Sequence, residues 1–366
     1  MADNLNGDET KHQYSWNEGP CGLYLVKDLT ADFDMKLFLT SAYDVHTMLD
    51  ALRVYAESDM IGRHEVCYSA DEADIILFVE DGQFDDYLYK QIQMHTLVKR
   101  YPEKVFMYNE VDKPWCVLPG LYCNMPQRFF QRSRQVAFPM LTVPNELVAQ
   151  IYDANDTAQR KFLYSFVGAA SHRCRKGVFA LADRNPAILD TSDFNVWDCT
   201  AEERLAAERL YADIMAESLY VLCPRGIGTS SYRLFETMQA GRAPVIISDQ
   251  WVEPPQVNWD FALRIRESDV SEIPEWLQSR ASEARDRGEA ARAAWEASYS
   301  PSRIFDTITE SVVRLKNEQR ENLSTEGQFL ENTRKILIQH ENRAVATARR
   351  VRDRVSGMFA PVESQS

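Results

Sequence analysis

A chain of 366 residues, 45% hydrophobic and 26% charged, is longer than one hydrophobic core usually organises, so two domains are expected. Its formal net charge of −14 argues against general binding to nucleic acid or anionic membranes, and any phosphate site must be a local basic patch in an acidic shell. Seven cysteines, none in CxxC or CxxH spacing, fit free thiols and exclude a zinc-finger or dithiol motif.

Residues 1–20 are polar, with Asn4, Asn6, Gly7 and Asp8 among them, and predict a disordered leader. There is no basic-then-apolar signal segment and no apolar run of the ~18–20 residues a spanning helix needs. Strand-like runs follow at 23–26 and 37–39, and 45–56 has helical periodicity. The apolar run 75–79 empties into Glu80, Asp81 and Gly82, the pattern of a buried parallel strand. A helix over 87–100 and a strand over 105–108 come next, then the acidic segment 109–114 with Glu110 and Asp112. This alternation predicts an N-terminal Rossmann-like acceptor domain over 21–150. Its acidic loops lie at the carboxyl ends of strands, where open α/β sheets place their sites. Segment 119–122 is a further candidate for the acceptor pocket.

A second α/β domain, 151–310, opens with a strand at 161–166 that ends on Gly168. Beyond it stand His172, Arg173, Arg175 and Lys176, either a diphosphate grip built on Arg or a solvated basic first turn. Arg173 is the favoured phosphate contact. A strand at 187–189 and a helix over 202–218 lead to the stretch around which the chain is organised. There a strand (219–223) runs into a loop with Arg225, Gly226, Gly228, Thr229, Ser230 and Ser231. A helix then continues to Ala240, stops at Gly241 and is followed by a strand at 245–247. A βαβ unit with small residues and a hydroxyl N-cap at its turn leaves backbone N–H groups open to an anion. Helical spacing puts Leu234, Phe235 and Met238 on one face, so Arg233 and Glu236 are expected to look outward together, a phosphate contact beside a ribose contact. The plainer alternative is a capped surface helix with an Arg–Glu pair.

The run Pro224-Arg225-Gly226-x-Gly-x-x-Ser231-x-Arg233-x-x-Glu236, followed by Ala240-Gly241-x-x-Pro244-Val-Ile-Ile-Ser-Asp249-x-Trp251, resembles the signature of exostosin-type glycosyltransferases. Gln250 departs from it where an acid is expected, and Arg242-Ala243 stands where many relatives carry Cys-Ile. The resemblance implies a GT-B architecture: two Rossmann-like domains facing across a cleft, the C-terminal one holding a nucleotide-sugar, with C-terminal helices. It also implies inverting transfer with no metal bound by a DxD motif. The donor is a nucleoside-diphosphate sugar, UDP-linked by default, and the acceptor a glycan or small-molecule hydroxyl. Animal and plant relatives are usually membrane-anchored, so a chain without such an anchor points to a soluble, bacterial-like, cytoplasmic member.

Inversion needs a base opposite the leaving group. In a two-domain cleft that base should come from the N-terminal half, with Asp112 and Glu110 first and Glu80 and Asp81 second. The acidic triplet at 32–34 has DxD form but lies too early for a metal role, and the six histidines do not pair at ligand spacing. Residues 311–366 predict a C-terminal helical extension, with an amphipathic stretch at 325–358 packing across both domains. The alternative function is a catalytically inactive relative that keeps the donor fold for binding or assembly.

Overall fold

A computed structural model describes residues 34–83, 86, 89–112, 114, 116–141, 145–153, 160–194 and 198–321. The expected leader, the strand at 23–26, most of the acidic triplet at 32–34 and the helix at 325–358 lie outside the described residues.

The first sheet is parallel throughout, in the order β2-β1-β3-β4-β5-β6. Its strands are β1 (Met35–Thr40), β2 (His64–Val66), β3 (Ile75–Glu80), β4 (Val105–Asn109), β5 (Gly120–Tyr122) and β6 (Gln135–Ala137). The apolar run of β3 is buried along its whole length because both faces are covered. Ile75, Leu77 and Val79 pack with α1 (Thr47–Glu57), whereas Ile76 and Phe78 point the other way, towards Ile92 of α2 (Lys90–Met94). The helix expected over 87–100 is interrupted. His95 takes an extended conformation, and its ring Nδ1 accepts from Leu97 N at 3.2 Å, starting a new helix, α3 (Thr96–Arg100). Histidine is not among the usual capping residues, so the break left no trace in the pattern. Segment 119–122, expected at an acceptor pocket, instead supplies the buried interior strand β5.

After α4 (Glu146–Asp153) comes a second parallel sheet, order β11-β10-β9-β7-β8. It is built from β7 (Phe162–Gly168), α5 (Arg173–Phe179), β8 (Ile188–Asp190), α6 (Ala201–Ala216), β9 (Ser218–Pro224), α7 (Tyr232–Gln239), β10 (Ala243–Ile247) and β11 (Leu263–Arg264). Thr200 and Glu203 form a capping box that starts α6, and α7 ends at Gly241, whose φ of 63° suits glycine. Helices α8 (Ile273–Gln278) and α9 (Ala284–Ser298) complete this half. Val148 and Ile151 of α4 join its core. The two Rossmann-like halves face one another, and Gln127 N donates to Gln250 O between them at 2.9 Å.

The chain then returns to the first half. Ile304, Phe305, Ile308, Val312 and Leu315 of α10 (Ile304–Glu321) pack with Leu37, Leu49 and Ile75. Arg63 donates twice to Asp306, at 2.9 Å each, and the buried His64 lies 3.2 Å from Glu310. Asp306→Ala removes both of these Arg63 bonds and should cost roughly 1–3 kcal/mol. Chemical denaturation checks this, and an unchanged midpoint would mean that apolar packing alone holds α10.

Candidate active site

The turn between β9 and α7 opens into the cleft. Ser231 is the N-cap residue, but its side chain makes no capping bond; Leu234 N donates to Ser231 O at 3.1 Å, and the positive end of the helix faces the cleft. Arg233 and Glu236 do not face solvent as expected. Arg233 is only 9% exposed, and its guanidinium lies 4.4 Å from the Phe166 ring centroid and 5.6 Å from that of Tyr211. It donates through Nη2 to Val167 O. Glu236 accepts from Tyr211 Oη at 2.5 Å, and burial raises its carboxyl pKa while that bond and Arg233 oppose the rise. The reason is tertiary: the side of α7 away from its apolar face is covered by the end of β7 and by α6. Gly168 makes the fit possible, since a Cβ there would sit 2.8 Å from Arg233 Nη2.

A cavity of about 670 Å³ lies over this wall, within the range of small-molecule sites. Arg175, Arg233, Gly226, Ser230, Ser231 and Glu236 line one side, and Asp112 reaches it from the first half. Phe194, Leu210, Tyr211 and Ile227 give it an apolar side. Arg175 donates to Ala169 O at 2.9 Å and to Arg225 O at 3.0 Å. Burial and then the neighbouring Arg233 push its pKa down to about 10, which leaves it cationic at neutral pH. Arg173, the favoured contact, is exposed and does not line the cavity. Two residues apart on α5, the pair cannot share a direction. Arg225 turns away as well: it donates to Ile227 O at 3.1 Å and lies 4.0 Å from Glu267.

The first half already holds part of the turn. Asp112 Oδ1 accepts from Gly228 N and Asn124 Oδ1 from Ser230 N, each at 3.0 Å. These N–H groups, expected to be open, are therefore taken. Gly228 is required by this close approach, because a Cβ would meet Asn124 Oδ1 at 2.4 Å and Asp112 Oδ1 at 2.7 Å. Nearby, Thr229 Oγ1, Ser230 Oγ and Arg233 Nε are buried with no hydrogen-bond partner among the described residues. Buried polar atoms are rarely left so, and several together beside paired guanidinium groups fit a bound polyanion.

The four candidate acids share the carboxyl edge of the first sheet but differ in what they touch. Glu80 accepts from Ser41 Oγ and Ala42 N at 2.8 Å each, and burial lifts its pKa to about 7. Asp81 caps α1, accepting from Thr47 N at 2.7 Å and Met48 N at 3.0 Å. Glu80 is committed to the loop before α1 and Asp81 to the first turn of α1. Glu110 accepts from Leu141 N at 3.0 Å and Tyr108 Oη at 3.3 Å, and from Tyr232. Burial, followed by the charge of Asp81, raises its pKa to about 8. Of the four, Asp112 alone lines the cavity.

Glu110 carries a pH signature. Its folded pKa lies above its ordinary value of 4.5, so between pH 4.5 and about 8 the folded state holds more protons than the unfolded chain. Its contribution is fully present at low pH and lost as pH rises through that window. Glu110→Gln, which keeps an acceptor for Leu141 N, should remove most of this decline, up to roughly 5 kcal/mol over the full window. Urea unfolding across the window measures it, and parallel slopes for the two proteins would rule the burial effect out.

Residues 109–280 match the family model of the Exostosin GT47 domain. Over 192 residues the chain is 28% identical to an exostosin-1 homolog of Caenorhabditis elegans, covering 47% of this chain and 50% of that one. Over 141 residues it is 26% identical to exostosin-1 of Drosophila melanogaster, covering 34% and 19%. The chain thus spans half or less of the curated relatives it matches. A solved structure, a glycosyltransferase from Rickettsia africae ESF-5, aligns with a TM-score of 0.41 and 9% identity over 80% of this chain and all of that one. The fold is a two-domain α/β architecture with two parallel sheets, and the candidate site lies between its halves. The stretch that matches the family model contains the turn, Arg175, Glu110 and Asp112. No helix among the described residues is long and apolar enough to cross a membrane.

Phe166, Tyr211 and Asn124 were not among the residues the sequence singled out. Phe166 and Tyr211 read as ordinary strand and helix residues, and Asn124 follows a strand too short to be noticed. Nothing in spacing marks a residue whose partner is about a hundred positions away.

Proposed function

We propose that the protein transfers a sugar, with inversion, from a nucleoside-diphosphate sugar to a hydroxyl of a glycan or small-molecule acceptor. The observation that carries this reading is the pairing of Arg175 and Arg233 in one cavity wall, beside unpartnered buried hydroxyls and the N-terminus of α7. Two neighbouring cations and open donors favour the diphosphate, and more so as charge grows on it during departure. Glu236, steadied by Tyr211, is the ribose contact, and the apolar side with Phe194 and Leu210 takes the base. Asp112 is the general base. Diphosphate binding to the turn draws Gly228 N from Asp112 Oδ1 and turns that oxygen towards the acceptor hydroxyl. The ion that balances the leaving diphosphate is the Arg pair, so the reaction needs no metal on the diphosphate.

UDP is the default nucleotide. Thermal shifts with UDP, GDP, dTDP and CMP, then release of free nucleotide from the matching sugar donor with and without acceptor, test the reading. Stabilisation by one nucleotide and acceptor-dependent release support it. Failure of all four to move the melting temperature removes the donor site.

A further inference from the structure

Behind the turn, away from the cavity, three side chains of metal-ligand type converge. His172 Nδ1 lies 3.2 Å from Cys174 Sγ and 3.9 Å from Glu267 Oε2, and one ligand atom from each fits within 4.8 Å of the others. Cys174 is 4% exposed. The Glu267 side chain is 9% exposed and that of His172 24%. Glu267 is fixed by its loop: its N–H donates to Asp249 Oδ1 at 3.1 Å and its Oε1 accepts from Asp249 N at 3.2 Å. Neither CxxC nor HxxxH spacing produces this set. It arises because the β7–α5 loop and the segment after β11 end at the same edge of the second sheet.

We propose that His172, Cys174 and Glu267 form a binding site for a borderline-soft divalent ion of the zinc type, separate from the donor cavity. Tetrahedral bonds of about 2.0–2.3 Å keep ligand atoms roughly 3.3–3.6 Å apart, so the 3.2 Å His172–Cys174 pair already fits and the remaining separations, within 4.8 Å, close by about an ångström at most. One sulfur, one nitrogen and one carboxylate oxygen select zinc or cobalt over magnesium or calcium. The ion replaces the Cys174 N–H that His172 Nδ1 now accepts at 3.3 Å, and a water completes the fourth position. Binding converts the Cys174 thiol to a thiolate, with one proton released and no change of oxidation state. Thiolate and carboxylate then cancel the ion's charge. Arg225 stays on the far oxygen, Glu267 Oε1, 4.0 Å away. Because that carboxylate is tied to the turn through Arg225, the ion would stiffen the base of the donor turn from behind.

The full chain, cleared of metal by a chelator, is titrated with Co²⁺ and followed by absorbance. The expected result is a thiolate-to-cobalt charge-transfer band in the near ultraviolet that saturates at one ion per chain. Zn²⁺ should abolish it and Mg²⁺ should not. Cys174→Ser should lose the band and Cys199→Ser keep it. Glu267→Gln and His172→Ala should weaken binding by roughly 100-fold or more, above the loss typical of outer-shell partners. Circular dichroism establishes that each variant is folded, and the Glu267 and His172 variants decide the matter if Cys174→Ser is not. No band in the unaltered chain, a band that survives Cys174→Ser, or Co²⁺ affinity unmoved by the other two variants overturns the proposal. Because no nucleotide is present, the outcome is independent of the donor-site reading.

Discussion

Arg233→Ala should weaken nucleoside-diphosphate binding by roughly 10²–10⁴-fold while the protein stays folded. The guanidinium lines the cavity, stacked on Phe166 and supported by Val167 O, and its Nε has no hydrogen-bond partner among the described residues. Two charge-assisted bonds to phosphate, at ~1.5–3 kcal/mol each, give a loss of that size. The same change removes the cation–π contact, worth up to about 2 kcal/mol when desolvated, but also relieves repulsion with Arg175. Stability should therefore fall much less than affinity. Arg233→Lys should recover only part of the binding, because an ammonium neither stacks as a plane nor reaches two oxygens at once. Calorimetric titration of each variant measures this. Affinity equal to the unaltered protein's would show that the anion does not use this wall.

Asp112→Asn should lower kcat by roughly 10²–10⁴-fold, the range of general-base catalysis, with the KM for donor little changed. Asn keeps an oxygen where Asp112 Oδ1 now accepts from Gly228 N, so the cross-cleft contact survives while the base is lost. Steady-state kinetics at saturating acceptor separates the two effects. A raised KM with kcat intact would make Asp112 a clamp on the turn and return the search for the base to Glu110.

The sequence was most informative where local physics decides. The apolar run of β3 and the stop at Gly241 each correspond to a feature of one segment, and each was read directly. The βαβ unit around the glycine-rich turn was legible for the same reason. What escaped were choices made by distant neighbours. Arg173 and Arg175 look alike in a list of cations, and only the packing of α5 against the Arg225 carbonyl turns one into the cleft and leaves the other in solvent. Arg233 read as an outward residue because helical spacing cannot reveal that α6 and β7 cover that side. Glu80 and Asp81 were candidates by position, yet backbone amides of the loop before α1 and of the first turn of α1 claim them. The plugging of Gly228 and Ser230 by Asp112 and Asn124 is a relation between halves that no window of sequence contains.

That relation also supplies the most direct test. In a crystal structure with nucleoside diphosphate bound, the phosphates should lie between Arg175 and Arg233 at the first turn of α7, with Gly228 N drawn from Asp112 to phosphate oxygen. Phosphates bound elsewhere, with the Asp112–Gly228 bond intact at its present 3.0 Å, would contradict the assignment of this cleft as the donor site.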